Sequence, residues 1–209
     1  MSDDLMQRDS GAIRATLARL EQSWWSVADA SGVAPRRAIT AQLIGPALPH
    51  AFIAERIAPG HARIRVAGQE LAAIVGTELR GMPLSCLLGV ESRTLFADRL
   101  AICFERPAIV DMPLHAPRRF ARPALNGRML LLPLMGNDDV IDRLLGALVL
   151  DGEIGHRPRR LEIDQSAPWR RDTLTGPRPQ RLRAIAGGAH LRRSAYAPRP
   201  KLRLVVDNG

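Results

Sequence analysis

The chain has 209 residues, room for one domain of the common size of about 100–150 residues plus flanking segments, and with 46% apolar but only 4% aromatic residues its core must be aliphatic. The formal charge of +9 is unevenly placed: residues 1–154 hold 17 basic and 17 acidic side chains, whereas 155–209 hold 13 basic and 4 acidic, so the whole excess sits in the C-terminal segment. The polar start Met1–Asp9 lacks an apolar signal core, and no apolar run reaches the ~18 residues of a membrane helix.

In residues 11–28, Ile13, Leu17, Leu20, Trp24 and Val27 recur at steps of three and four with charged and polar residues between them, which predicts an amphipathic helix with one face to cover. Gly32, Pro35, Pro46 and Pro49 then break the chain into short turns. Residues 51–57 and 61–67 flank Pro59-Gly60 and predict a hairpin, with Ile64 and Val66 on one face and Arg63 and Arg65 on the other. A short helix over 69–75 is closed by Gly76, and a longer one runs from Ser92, a residue suited to N-capping, to Arg106, with Phe96, Leu100 and Cys103 in one stripe and Pro107 as its stop.

Three more strands are expected at 108–115, 128–135 and 143–150, the last two an antiparallel pair joined through Gly136-Asn-Asp-Asp139. Their continuous apolar runs imply burial on both faces, and the helix at 11–28 is the available cover for the outer one. Gly146, costly inside a strand unless something approaches closely, is expected to make room for Trp24 or Trp25, while Pro133 has no evident place in a central strand. From Gly155 the apolar periodicity stops and prolines punctuate an Arg-rich stretch, the composition of a disordered tail, although 201–206 has the pattern of a docked strand.

Cys86 and Cys103 lie in apolar stretches without C-x-x-C spacing, the usage of a reduced, cytoplasmic chain rather than of a disulfide scaffold or zinc site. The five histidines, His50, His61, His115, His156 and His190, form no i, i+4 or Cys pairing, so no metal or haem site is expected. Asn137-Asp138-Asp139 lacks the spaced ligands of a calcium loop, and no nucleophile motif or phosphate-cradling glycine loop occurs, so no catalytic residues and no cofactor are expected. In the tail, Arg157, Arg159, Arg160, Arg170 and Arg171 are the candidates for a weak, salt-sensitive polyanion contact, with only Trp169 and Tyr196 available for stacking.

The stretch Arg65-Val-Ala-Gly-Gln-Glu-Leu-Ala-Ala-Ile-Val-Gly-Thr-Glu-Leu-Arg-Gly81, with Leu131-Leu-Pro-Leu134, Arg143-Leu-Leu-Gly-Ala147, the Trp24-Trp25 pair and Leu48-Pro49, resembles a bacterial family of short, stand-alone PAS-domain proteins. The resemblance spans roughly residues 13–152 and departs from the family at Ala72 and Ala73, where a Cys or larger residue is expected, so it does not imply thiol sensing there. It implies an α+β fold, a five-stranded antiparallel sheet with helices on its concave face, and a sensory or regulatory role without an attached output domain.

The expected division is therefore 1–47 for the leading helix and connector, 48–154 for the PAS-like domain and 155–209 for the basic tail. Leu71, Ile74, Phe96, Leu100, Met112 and Leu132 are the expected lining of a pocket for a small apolar ligand, and Leu17, Leu20, Trp24 and Trp25 the expected interface with a second copy or a signalling partner. The competing reading is a dimerisation scaffold whose arginine-rich tail binds nucleic acid or another polyanion without sequence preference.

Overall fold

The computed structural model describes residues 2–118, 123–152, 154 and 158–176; the expectations for Arg157, His156, His190, Tyr196 and the 201–206 strand lie outside the described residues. The chain divides into two units, Met1–Arg178 and Pro179–Gly209, and every described residue belongs to the first. Helix α1 spans Ser2–Ser26 and is followed by the two-residue strand β1 (Ala34–Pro35) and the single turn α2 (Ala41–Ile44), whose Thr40 cap accepts a hydrogen bond from the Leu43 amide. The hairpin β2 (Ala51–Ala58) and β3 (His61–Ala67) leads into α3 (Gln69–Val75) and α4 (Arg93–Glu105). Strands β4 (Ala108–Ala116), β5 (Leu125–Met135) and β6 (Ile141–Asp151) follow, and two short strands, β7 (Glu162–Ile163) and β8 (Arg170–Thr173), end the described chain.

The five expected strands form an antiparallel sheet in the order β3-β2-β6-β5-β4. Three short strands extend it to eight: β1 runs parallel to β5 at Leu134 and Met135, and β7 and β8 pair with the far edge of β4. The two faces separate cleanly because strand side chains alternate. Phe52, Ala54, Met129, Leu131, Leu144 and Leu148 join the residues of α3 and α4 in a concave-face cluster. Ile53, Leu130, Leu132, Leu134, Leu145 and Ala147 join Ile13, Leu17, Leu20 and Trp24 of α1 in a second cluster on the outer face. The leading helix thus covers the back of the sheet, as its apolar stripe predicts.

Several local expectations change for identifiable reasons. Val66 is 53% exposed while Ile64 is buried. The β2–β3 register slips between Ile53, opposite Val66, and Ala54, opposite Ile64, so Arg65 is a bulge residue and the two-residue alternation inverts beyond it. Gly146 shares the phase of Leu144 and Leu148 and faces the concave side, where a Cβ would stand 2.3 Å from the Phe52 ring. It makes room for Phe52, not for a tryptophan. Pro133 sits in a gap on one edge of β5, beyond the last β4 partner at Leu131 and before the β1 partner at Leu134. Its carbonyl there accepts the Trp24 indole N–H at 3.0 Å, so the missing proline N–H leaves no strand partner short.

The largest correction concerns the tail. Residues 158–176, expected to be disordered, run back over the helical face and along the sheet edge. Leu161 and Ile163 lie in the concave cluster at 0% and 4% exposure, Leu161 exchanges backbone hydrogen bonds with Leu87 and Gly89, and the Arg159 amide donates to the Ile74 carbonyl. Two isolated apolar residues in an arginine- and proline-rich stretch give no periodic signal, yet the unpaired edge of β4 offers Ile163 a ladder and Leu161 bridges Leu88. The ordered domain therefore extends beyond 154, through the segment 158–176.

Two outcomes follow. Gly146→Val lowers the melting temperature through overpacking worth about 1–3 kcal/mol, and an unchanged melting curve would count against the Phe52 contact. A chain ending at Arg178 keeps the full-length melting transition. One ending at Ile154 loses the burial of Leu161 and Ile163, about 1.5–3 kcal/mol for each, and melts markedly earlier; equal melting of the two would show that the returning segment does not stabilise the fold.

Candidate functional site

The concave face gathers most of the residues expected to line a pocket. Leu71 and Ile74 come from α3, Phe96 and Leu100 from α4 and Met112 from β4, each no more than 1% exposed and all in one cluster. Helix α3 ends at Gly76, which takes the left-handed conformation at φ +77°. Leu132, the sixth expected residue, lies on the other face, in phase with Leu130 and Leu134 against α1. A continuous apolar run hides which of two neighbouring residues points to which side, and only the register settles it.

The expected interface residues serve the fold itself. Leu17, Leu20 and Trp24 are 4%, 1% and 0% exposed against the sheet. Trp25 is half-buried and stands edge-on to Trp24, with ring centroids 4.9 Å apart. A contact with another chain through Leu17, Leu20 and Trp24 requires α1 to leave the sheet.

The arginines of the expected polyanion site divide in the same way. Arg159 is buried at 5% exposure and donates from Nη2 to the Pro123 carbonyl. Arg170 pairs with Glu21 of α1 and with Asp172; burial opposes its charge, but the hydrogen bond to Glu21 holds its pKa above the ordinary value. Arg160 and Arg171 are exposed. Among the described residues no group of three or more His, Cys, Asp and Glu is placed to hold a metal ion. Burial pushes the thiols of Cys86 and Cys103 up, most strongly at Cys103 in the centre of the core, so neither supplies a thiolate at neutral pH.

The returning segment meets the rest of the domain through polar side chains that the sequence analysis assigned otherwise or passed over. Ser92 precedes α4 but its hydroxyl caps nothing in that helix. It donates instead to the Glu162 carboxylate and accepts the Ile163 amide N–H at 2.7 Å. Seven residues on, Arg99 is 5% exposed and lies under the indole of Trp169, its guanidinium carbon 4.6 Å from the ring centroid. Its Nε and Nη1 are buried without a hydrogen-bond partner, and burial lowers its pKa. The signal for Arg99 was available: it stands three residues after Phe96 and four before Cys103, inside the apolar stripe of the predicted helix. Surface clefts open among the described residues. A cleft of about 420 Å³ separates α1 from the α2 turn, lined by Thr16, Arg19, Ser23, Gln42 and Ile44 among others, and one of about 250 Å³ lies between Arg65 and Arg80.

A family model described as a PAS domain matches residues 13–149, about two thirds of the chain. The chain belongs to this PAS-domain family. Among the solved structures it resembles are light-oxygen-voltage domains. One, studied with a flavin analogue, is 17% identical, with 54% of this chain and 84% of that chain covered and a TM-score of 0.39. The Rhodobacter sphaeroides LOV protein is 19% identical, with 66% and 70% covered and a TM-score of 0.35. The light state of the Aureochrome1 LOV photoreceptor is 16% identical, with 55% and 91% covered and a TM-score of 0.37. No curated protein matches the chain. The PAS match ends before the segment 158–176, so the contacts of Ser92 and Arg99 with that segment are additions to the PAS body.

Removing the Ser92 hydroxyl leaves the Ile163 amide buried without its acceptor, so Ser92→Ala destabilises the domain by about 1–3 kcal/mol in denaturant unfolding while Ser92→Thr costs less. Equal stability of the alanine variant and the wild type would mean that the returning segment is held by its backbone pairing alone.

Proposed function

We propose that this PAS domain is a sensory or regulatory module of signal transduction, acting through a small ligand or a partner protein rather than through catalysis. One arrangement supports this reading above the others. The segment that closes the concave core through Leu161 and Ile163 also pairs Arg170 with Glu21 of α1 and packs Leu174 against the outer cluster. A change in the concave core that shifts this segment therefore acts on the helix covering the opposite face.

The mechanism is a population shift between a docked and an undocked α1. A ligand favours one state by the difference in its affinity for the two. Undocking uncovers the outer face of β5 and β6, where Leu130, Leu132, Leu134 and Leu145 form an apolar surface suited to a second copy or a partner. Two free, buried cysteines fit a reducing, cytoplasmic setting, and among the described residues no helix is long and apolar enough to cross a membrane. Polyanion binding keeps less support. Of the five arginines named for it, Arg159 and Arg170 are engaged within the domain and only Arg160 and Arg171 are both described and exposed.

Native mass spectrometry of the freshly purified full chain tests the proposal. The expected result is a fraction carrying a noncovalent small-molecule mass that acid releases, or a dimer whose abundance follows that mass. A bare monomer at all concentrations, unchanged by incubation with a small-molecule extract of cells, would overturn the reading of a ligand-responsive or self-associating sensor.

A further inference from the structure

An amphipathic helix that turns its apolar stripe to a sheet leaves polar flanks beside that stripe. One flank of α1 faces the connector at 42–47, and the two do not close on each other: a cleft of about 420 Å³ remains between them. Its helical wall runs from Thr16 to Ser26, about 15 Å at 1.5 Å per residue.

The two walls differ in chemistry. The helix contributes Arg19, Gln22 and Ser23, and the connector contributes the half-buried Leu43 and the exposed Pro46 beside Gln42. Arg19 is exposed and is the only charged side chain in the lining. Arg56, Arg65, Arg128, Arg143 and Arg170 each meet a carboxylate. Arg19 meets none: no acid stands in the walls of the cleft, and among the described residues its guanidinium makes no hydrogen bond or ion pair. The side-chain amides of Gln22 and Gln42 and the Ser23 hydroxyl are equally without a partner among the described residues.

We propose that this cleft binds a small organic acid that carries one carboxylate, an amide group and a short aliphatic body. The carboxylate accepts hydrogen bonds from the Arg19 guanidinium, the amide lies along Gln22, Ser23 and Gln42, and the aliphatic part rests on Leu43 and Pro46. The volume suits such a ligand, since small-molecule sites begin at about 300 Å³. A monoanion is favoured over a phosphate because the lining holds one cation and nothing to answer a second negative charge. This deepens the sensory reading and rests on it in one respect, the effect of binding on α1. Ile44 and Ala47, which also line the cleft, belong to the cluster that buries Leu17, Leu20 and Trp24. An occupant bridging helix and connector therefore favours the docked state of α1, from the outer side of the sheet and apart from the concave core.

The test is a nuclear magnetic resonance titration of the isotope-labelled full chain at constant ionic strength. N-acetylleucine is the probe, with N-acetylleucine amide and inorganic phosphate as comparisons. The acid is expected to shift the amide signals of residues 16–26 and 42–47 saturably and to slow hydrogen exchange along α1 from Leu17 to Trp24. Its amide lacks the carboxylate and is expected to bind about tenfold more weakly, the worth of charge-assisted hydrogen bonds. Arg19→Gln removes no contact within the described chain, so it melts like wild type. It binds the acid about tenfold more weakly and the amide as wild type does. Equal affinity of Arg19→Gln and wild type for the acid, shifts centred on the concave core, no saturable shift, or a phosphate response equal to that of the acid would each overturn the proposal. Unchanged exchange of α1 in the bound state would overturn its effect on docking. Where N-acetylleucine leaves every signal in place but native mass spectrometry still finds a bound small molecule, the sensory reading stands and only the Arg19 cleft falls.

Discussion

Burial of β5 and β6 on both faces is the constraint on which this structure depends. The unbroken apolar run from Met129 to Leu134 does not suit a surface sheet: Met129 and Leu131 face one way, Leu130, Leu132 and Leu134 the other, and all five are at most 1% exposed. Antiparallel strands commonly leave one face to water. Here the second face must be covered, and the cover comes from outside the sheet-forming stretch, from α1. The Trp24 side chain anchors it by burying the indole completely and donating its N–H to the Pro133 carbonyl, in the gap that β4 and β1 leave along one edge of β5.

The opposite edge of the sheet is closed by the other end of the domain. An exposed β4 edge would present a row of unpaired backbone groups, and β7 and β8 occupy it. The same segment sends Leu161 and Ile163 into the concave cluster, so it is an edge strand and a core element at once. Its ion pair with Glu21 then joins the first helix to the last strand of the described chain. Sheet, leading helix and returning segment are consequently joined by named contacts. Arg99 lies under the Trp169 indole with its Nε and Nη1 buried and without a hydrogen-bond partner.

Membership in the PAS family and the arrangement of the main sheet agree with the reading of the residues. That agreement has a physical basis in patterns of short range. The 3-4 spacing from Ile13 to Trp24, the Pro59-Gly60 turn, the Gly76 stop and the Gly136–Asp139 connection each specify an element without reference to the rest of the chain. The candidate site was legible only in part. Leu71, Ile74, Phe96, Leu100 and Met112 share a cluster on the concave face, the side that helix and strand periodicity gives them, whereas Leu132 fell in an unbroken apolar run in which periodicity carries no phase.

What the sequence by itself determined is the set of elements, their order, the need for a cover on the outer face, and the neutrality of the body against the basic C-terminal segment, because each follows from composition or from short-range spacing. Only the tertiary structure decided that residues 158–176 belong to the domain, that Gly146 yields to Phe52, that Val66 turns outward past the Arg65 bulge, and that Ser92 serves a strand 71 residues away rather than its own helix. Those outcomes depend on which backbone edge is left unpaired and which side chain arrives opposite, and such meetings between distant parts of a chain leave no period in the sequence to be read.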